Sequence, residues 1–290
     1  MRISRRKFLR NSLAAAVGAA VPLAAYSQFI EPHELTIGRL ELPIVGLPEA
    51  FDGFRIAQLS DFHYLPYTRR SEIEKAVQKT NSLSPDLTVL TGDFITSDED
   101  ISVLNASSPV YSHMGVCAEL VSHLRAAHGV IACPGNHDTS IGIPYVRGAL
   151  GDFGIPLLVN ESRAVERDGG RIWIAGVDDA IYGKADFGRA LAKIPAGETV
   201  ILLAHEPDLA DEASRHPIAL QLSGHSHGGQ IRLPIIGCPY LPPLAEKYPY
   251  GYYRIGKMHL YTNRGIGEIL LPYRFNAPPE ITLVTLRQAR

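Results

Sequence analysis

The sequence predicts an α/β fold in a single domain, and three observations support this prediction. Apolar runs with the length of buried strands alternate along the chain with amphipathic helical segments. No internal repeat or low-complexity linker divides the 290 residues. Hydrophobic residues make up 46% of the chain, which is enough for a sizeable buried core.

The predicted elements follow one another in a regular order after residue 33. Strands are predicted at ELTIGRLELPI, FRIAQLS, DLTVLTGD, VIACPGNHD, ETVILLAHEPD and IALQLSGHSH. Helices are predicted at SEIEKAVQKTNSL and at CAELVSHLRAAHG, the second of which Gly129 would close. Because several of these strands are apolar throughout, we expect them to be covered by other layers on both faces.

Charge and cysteine content exclude two classes of protein. The formal net charge is −2 and the charged residues are interspersed, so the chain lacks the basic field of nucleic-acid binders, and nucleic acid is not expected as a specific partner. Three cysteines, Cys117, Cys133 and Cys238, are too few for a disulfide framework. We expect them to be small buried apolar residues.

The N-terminus has the composition of an export signal. Five of its first ten residues are basic, and an apolar run from Ser12 to Ala25 follows. Arg5 and Arg6 in SRRKFLR match the twin-arginine pattern, and an ordinary Sec signal is the alternative. The apolar run is shorter than the roughly 20 residues of a full span. We therefore predict a twin-arginine signal over residues 1–27, with cleavage near Ser27 or retention as a tether, and a folded domain over 28–290.

Five of the predicted strands end in His, Asp or Asn. Since ligands bind at the carboxyl ends of strands in open α/β sheets, these residues can converge although they are far apart in sequence. Singly, each also fits a helix cap, a turn or an ordinary surface histidine. Five such ends together favour a metal site instead. The donors are Asp61, His63, Asp93, Asn136, His137, Asp138, His205, His225 and His227.

The chemistry of these donors indicates the type of ion. Imidazole nitrogens combined with carboxylate and amide oxygens suit borderline divalent ions, and the lack of cysteines at these positions disfavours a closed thiolate site. The histidines of GHSH alternate in direction, and the glycines around them let the backbone turn tightly.

The order D-x-H, G-D, G-N-H-D, H, G-H-x-H resembles the calcineurin-like metallophosphoesterase superfamily, from about Arg55 to the C-terminus. The tail YTNRGIGEILLPYRFNAPPEITLVTL and the twin-arginine start resemble its bacterial branch of exported phosphodiesterases. The resemblance implies a four-layer α/β/β/α sandwich. One departure is Thr96, where many relatives have a second Asp three residues after the Asp of the G-D block; it affects the surroundings of the metal site rather than the site itself.

The resemblance implies that two divalent metal ions, Mn, Fe or Zn, are bound at this site. Asp93 would bridge them by offering one oxygen to each ion. The remaining ligands would divide into one set of Asp61, His63 and His227 and another set of Asn136, His205 and His225. The nucleophile would be a water molecule acidified by the two cations.

The resemblance also implies roles for residues outside the ligand sets. His137 would donate to a phosphoryl oxygen or protonate the leaving oxygen, with a purely supporting role behind the ligands as the alternative. Asp138 would keep the His137 imidazole charged and oriented. Arg264 in NRGIG would either contact a phosphate or only close a turn. The proline- and tyrosine-rich residues 239–255 form either a surface loop or an apolar lip beside the metals.

We therefore expect an exported, two-metal phosphoesterase that hydrolyses a phosphodiester or pyrophosphate, with a lipid-linked or nucleotide-linked substrate. A phosphomonoesterase, or a non-catalytic envelope-binding protein on the same scaffold, are the alternatives; a zinc protease is disfavoured by the absence of H-E-x-x-H. The expected location is the periplasm or the outer face of the inner membrane. The twin-arginine translocase is the expected export partner.

Overall fold

A computed structural model describes the backbone of residues 18, 20–97 and 109–289, and the side chains of all of these except 109–111. Arg5 and Arg6 of the predicted signal lie outside the described residues. The strands, numbered in chain order, are β1 (Thr36–Ile44), β2 (Arg55–Leu59), β3 (Leu87–Leu90), β4 (Val130–Ala132), β5 (Glu161–Arg167), β6 (Gly170–Gly176), β7 (Thr199–Leu203), β8 (Leu220–Ser223), β9 (Gly251–Ile255), β10 (Met258–Thr262) and β11 (Glu280–Gln288).

The helices lie mostly in the connections between the strands. They are α1 (residues 20–29), α2 (Arg70–Ser82), α3 (Pro109–Val121), α4 (Asn136–Ile141), α5 (Ile143–Gly151), α6 (Phe187–Leu191) and α7 (Ala210–Ala213). Short 3-10 turns cover Glu31–His33, Glu49–Phe51, Pro207–Leu209 and His227–Gly229.

The strands form two mixed sheets. The first has the order β1-β11-β2-β3-β4, and β2, β3 and β4 run parallel. The second has the order β5-β6-β7-β8-β10-β9, and its four inner strands run parallel. All five strands that were predicted to end in His, Asp or Asn are therefore inner or parallel members of a sheet, and their carboxyl ends meet at shared edges.

The apolar side chains form three layers of core. Phe54, Ile56, Leu203 and Leu222 belong to the layer between the two sheets. A second cluster packs α2, α3 and α5 against the first sheet, and a third packs α6 and α7 against the second. The predicted α/β/β/α sandwich is thus confirmed, because each strand that is apolar on both faces has a sheet on one side and helices on the other.

The helix predicted over residues 117–129 differs from the structure. The helix spans Pro109–Val121 instead, and residues 122–129 lie outside it in turns and irregular backbone. The Asn81 side chain explains the early end, because its amide donates to His123 O and its oxygen accepts from Arg125 N. Those bonds replace the main-chain bonds that a continuing helix would make.

The three cysteines carry free thiols, and the expectation that they are buried is confirmed for two of them. Cys117 and Cys133 are buried in the core, while Cys238 is half-buried against the turn at Gly228. Of the tyrosines in the predicted lip, Tyr248 is buried, whereas Tyr240, Tyr250 and Tyr252 are exposed.

Candidate metal centre

The polar strand ends converge at one place between the two sheets. Asp61 and His63 follow β2, Asp93 follows β3, and Asn136 begins α4 after β4, all from the first sheet. His205 follows β7 and the histidine pair of GHSH follows β8, both from the second sheet. Each of these residues is buried, so the donors lie in a region largely removed from water.

Three of the predicted ligands form a first group. Asp61, His63 and His227 each offer one ligand atom, and these atoms lie within 4.8 Å of one another. His227 Nε2 is 3.4 Å from Asp61 Oδ1 and 3.1 Å from His63 Nε2. This spacing allows a single ion to be reached by all three side chains.

A second group is formed by Asp93, His205 and His225, again with one ligand atom from each within 4.8 Å. His205 Nε2 lies 3.1 Å from Asp93 Oδ2. Asn136 Oδ1 is buried and has no hydrogen-bond partner. A buried oxygen without a partner is costly unless a cation takes that place, so the asparagine fits the role of a ligand.

Asp93 connects the two groups through one of its oxygens. Its Oδ2 is 3.4 Å from His63 Nε2 in addition to its contact with His205, while its Oδ1 accepts a 3.0 Å bond from His137 N. The expectation that each oxygen would serve a different ion therefore differs from the structure. Because Oδ1 is held by the backbone, Oδ2 is the atom placed between the two groups.

The non-coordinating nitrogens of the histidines are fixed by oxygen acceptors. His205 Nδ1 donates to Thr91 O (2.6 Å), His227 Nδ1 to Gly267 O (3.2 Å) and His225 Nε2 to Pro243 O (2.9 Å). A carbonyl can only accept, so these nitrogens carry protons, and in the neutral rings the opposite nitrogens have free lone pairs. Such bonds set both the tautomer and the orientation of metal-binding imidazoles.

Thr96 performs the same task for His63. Its hydroxyl lies 3.2 Å from His63 Nδ1, at the position where many members of the resembled superfamily have Asp. The substitution thus retains an oxygen beside the imidazole but removes a negative charge. The donor set and its outer contacts together fit two divalent ions, whose identity they leave open.

The ligand-bearing loops adopt a left-handed backbone. Five of the predicted ligands have positive φ: Asp61 (52°), His63 (41°), Asp93 (56°), His225 (67°) and His227 (50°). This region is unfavourable for residues with a Cβ and persists only where the surroundings enforce it. The geometry turns side chains from successive positions towards one point, which a regular strand or helix would not allow.

Glycines make room for these turns. A Cβ at Gly224 would overlap Ser60 Oγ and Asp61 Oδ2, and a Cβ at Gly135 would overlap the Asp93 side chain. The glycine before His225 therefore lets the second sheet approach the aspartate of the first.

Burial and mutual charge shift the pKa values of the site in opposite directions. Burial alone would raise the pKa of Asp93, but interaction with the neighbouring His205 and His137 imidazoles holds it well below its usual range. Burial opposes protonation of His205, yet Asp93 and Asp61 raise its pKa. Burial lowers the pKa of His225 to about 3. The Asp93 carboxylate is therefore anionic and the His225 imidazole neutral, which are the states that bind cations, whereas a cation at His205 would displace the proton that the two aspartates favour there.

His137 lies beside the first group, with its ring centroid 4.9 Å from that of His63. Ser97 N donates to His137 Nδ1 at 3.1 Å, and Ser97 Oγ is 2.7 Å from the same nitrogen. Since Nδ1 accepts, the ring proton lies on Nε2. Burial lowers the pKa of His137 to about 4, so the imidazole is neutral over most of the pH range.

The structure differs from the expectation for Asp138. Its oxygens accept from Asp93 N (2.7 Å), Phe94 N (3.0 Å) and Gly135 N (2.9 Å) rather than facing the His137 ring. Asp138 therefore ties the loop after β3 to the start of α4. The residue that orients His137 is Ser97.

Arg264 also differs from the phosphate-contact expectation. Its Nε donates to Glu280 Oε2 at 2.7 Å, and its terminal nitrogen donates to Thr36 Oγ1 at 3.0 Å. Because Glu280 is buried, the guanidinium neutralises a charge inside the fold. The alternative of a structural contact near the turn describes Arg264 better.

Sequence reasoning did not identify two residues that support the centre. Ser97 orients His137, and the fully buried Arg274 donates to Arg264 O and Ala277 O beside the loop that fixes His227. Neither lies in a recognisable motif. An arginine within the apolar surroundings LLPYRF was the one signal for Arg274.

The fold and this donor set define an α/β protein with a metal centre across the strand ends of two packed sheets. Residues 54–229 match the family model for calcineurin-like phosphoesterases. The chain is 34% identical to the metallophosphoesterase YkuE of Bacillus subtilis, over 99% of this chain and 98% of that protein. It is 31% identical to the Phosphodiesterase YaeI of Escherichia coli, over 98% and 99% respectively.

Among solved structures, TT1561 of Thermus thermophilus aligns with 73% of this chain and 89% of its own, at 14% identity and a TM-score of 0.48. The family match and the two relatives settle the class. The chain belongs to the calcineurin-like phosphoesterase family and is a metal-dependent phosphoric ester hydrolase.

Proposed function

We propose that this enzyme is a phosphodiesterase that hydrolyses a phosphodiester or pyrophosphate. The observation that carries the proposal is the position of Asp93 Oδ2 between two groups of ligands, which would allow two cations to be held side by side. A relative that aligns over nearly its whole length bears the name phosphodiesterase, which supports diesters over monoesters. The physiological diester would be lipid-linked or nucleotide-linked.

The residues of this chain have distinct tasks in such a reaction. When bound, the two ions supply charge for the phosphoryl oxygens and lower the pKa of the attacking water. His137 can donate a hydrogen bond from Nε2 to a phosphoryl oxygen, because Ser97 N holds its Nδ1 as an acceptor, and it would protonate the leaving oxygen only in the charged form of the ring. Asp138 keeps the Asp93 loop in place through its three backbone contacts.

A substrate and metal panel tests this function. Chelator-treated protein is reloaded separately with Mn, Fe, Zn, Mg or Ni and assayed on an aryl monoester, an aryl diester and a nucleotide-diphospho lipid. We expect at least one metal to restore activity, with a higher kcat/KM for a diester or pyrophosphate. A higher value for the monoester would indicate a phosphomonoesterase, and inactivity with every metal would indicate an envelope-binding protein.

We further propose that the enzyme works outside the inner membrane after export by the twin-arginine translocase. The support is in the sequence, where Arg5 and Arg6 precede an uncharged apolar run. Replacing both arginines with lysine preserves the charge but removes the pair itself. We expect the variant to accumulate in the cytoplasm. Normal export of the variant, or export blocked only by inhibiting the Sec pathway, would contradict the proposal.

A further inference from the structure

Exposed apolar side chains are concentrated in three segments of the protein. Of the fifteen large apolar residues exposed in the described part of the chain, nine lie in α1 and the residue after it, in the loop 231–244, and in the loop 266–275. The loop tips are the most extreme: Ile235 is fully exposed, and Ile236, Leu270 and Leu271 are more than half exposed. Concentration of this kind marks an interaction surface.

Hydrogen bonds hold the three segments beside one another. The Gln230 side chain donates to Ile269 O and Leu271 O and accepts from Ile269 N. Phe275 N donates to Gln230 O, and Arg274 N donates to Ser27 O at the end of α1. The two loops are therefore joined at the turn that follows His227, and α1 is attached to one of them.

Both loop tips have a backbone that their own side chains disfavour. Ile235 has φ of 71° and Leu270 has φ of 63°. A β-branched residue such as Ile235 is a true outlier there, and its full exposure provides no packing to compensate. Apolar residues held outward in a strained turn indicate that the partner of these tips lies outside the protein.

α1 is also an exposed apolar segment that the rest of the protein does not cover. Residues 18–30 contain no charged residue, and Ser27 alone among residues 20–30 is buried. A helix that is apolar on all sides needs a cover. Within the part of the chain that the structure describes, however, no helix has the length and apolarity to cross a bilayer.

The charge that precedes α1 indicates which cover it takes. Arg2, Arg5, Arg6, Lys7 and Arg10 lie in the ten residues at the N-terminal end. Basic residues beside an apolar helix are the combination that binds anionic lipid headgroups while apolar side chains enter the acyl boundary. Docking through α1 therefore applies to the chain that keeps its predicted signal as a tether rather than losing it by cleavage near Ser27.

We propose that the apolar surface formed by α1, the Ile235–Ile236 tip and the Leu270–Leu271 tip docks on an anionic lipid bilayer. The two loop tips enter the interface, and the metal centre is held beside the headgroups because both loops start next to His227. The proposal extends the proposed function by naming a lipid bilayer as the place where the enzyme works. It rests on the proposed function only for the location outside the inner membrane.

Vesicle co-sedimentation of the full chain tests the loop tips. Ile235, Ile236, Leu270 and Leu271 are replaced together with serine, and the matched control is Val45→Ser, which removes an exposed apolar residue that lies outside all three segments. With phosphatidylglycerol-containing vesicles, we expect the fourfold variant to bind on the order of tenfold or more weaker, because each buried methylene contributes to partitioning. The control should bind as the original chain does. Equal binding of the fourfold variant would overturn the proposal.

Activity on a small soluble aryl phosphodiester separates this proposal from the proposed function. The fourfold variant should retain that activity within about twofold, because its four substituted side chains are exposed and belong to neither ligand group. If the original chain binds vesicles but hydrolyses no diester, the docking surface stands and the proposed function fails.

A fluorescence measurement locates the contact. Trp173 is the one tryptophan of the chain, so an Ile235→Trp change in a Trp173→Phe background reports from the tip alone. We expect a blue shift with vesicles and quenching by brominated lipids. An unshifted spectrum with vesicles bound would assign binding to the N-terminal segment and overturn the role of the tips. A blue shift that appears without vesicles when the protein concentration is raised would show that the tips contact a second copy of the chain. That result would also overturn the proposal.

Discussion

At the scale of single residues, the metal centre is organised by atoms that do not face the ions. Oδ1 of Asp93 accepts from His137 N, and Asp61 accepts from His225 N with both oxygens, at 2.9 and 3.1 Å. These bonds cross from one loop to another. The ligand positions are therefore set before any cation arrives, which lowers the cost of ordering side chains on binding.

Asp93 should matter most to metal content. We expect Asp93→Asn to lose at least one ion per chain and nearly all activity, because an amide places a neutral atom where Oδ2 meets His63 and His205. Elemental analysis and turnover of the same preparation check this. Two retained ions with normal turnover would remove Asp93 from the centre.

His137 should affect turnover without affecting metal content. We expect His137→Ala to keep both ions and to lower kcat by about 10²–10⁴, which is the usual contribution of a positioned acid. Ser97→Ala is the milder companion, since it removes the hydroxyl but keeps the backbone donor to Nδ1. Loss of metal from the His137→Ala protein would show that the histidine is a ligand or a support.

At the scale of elements, the apolar strands were the most predictable part of the chain. β2, β3, β4, β7 and β8 lie within their predicted segments, because each is apolar and is followed by a polar loop containing a donor. The hairpin β5–β6 was not predicted, although Asp168 and Gly169 at its tip have the positive φ values of a two-residue turn.

Contacts between distant loops could not be predicted. Asp138 follows the histidine of its motif, and adjacency in sequence suggested that the two interact. In the structure, its carboxylate reaches back to the loop after β3, 45 positions earlier in the chain. The predicted C-terminal end of α3 was wrong for the same reason, since Asn81 acts on it from α2. A local sequence pattern does not indicate a hydrogen bond whose partner is brought close only by tertiary packing.

Arg264 connects two elements, and its removal should weaken the fold. Its partners Glu280 and Thr36 belong to β11 and β1, while Arg264 follows β10 in the other sheet. We expect Arg264→Ala to lower the free energy of unfolding by about 3–5 kcal/mol, because it leaves the buried Glu280 carboxylate without its cationic partner. Denaturant titration measures the loss. A raised KM with unchanged stability would restore a phosphate-binding role.

At the scale of the whole molecule, the ligand sets join the two sheets. The first group takes Asp61 and His63 from one sheet and His227 from the other, and the second group is divided in the same way by Asp93 and His205. An ion bound by either group therefore holds both halves of the sandwich together.

Removing the ions should accordingly lower the melting temperature of the entire domain. A ligand present at 100 times its Kd stabilises the folded state by about 2.7 kcal/mol. For a domain of this size, each kcal/mol of lost unfolding free energy lowers Tm by roughly 2–4 °C. Calorimetry before and after chelation measures this. An unchanged Tm would show that the sheets are held without the ions.

The division of the ligands between the sheets also bears on when and where the enzyme acquires its metals. His227 lies 164 positions after His63, so a partly synthesised or half-folded chain has no complete site. Loading must follow the packing of the two sheets, and a loaded centre is evidence that folding has finished. On the proposed export route, which carries folded proteins, this order places metal uptake in the cytoplasm. The composition of the cytoplasmic metal pool, rather than that of the medium outside, would then select the ions with which the enzyme works.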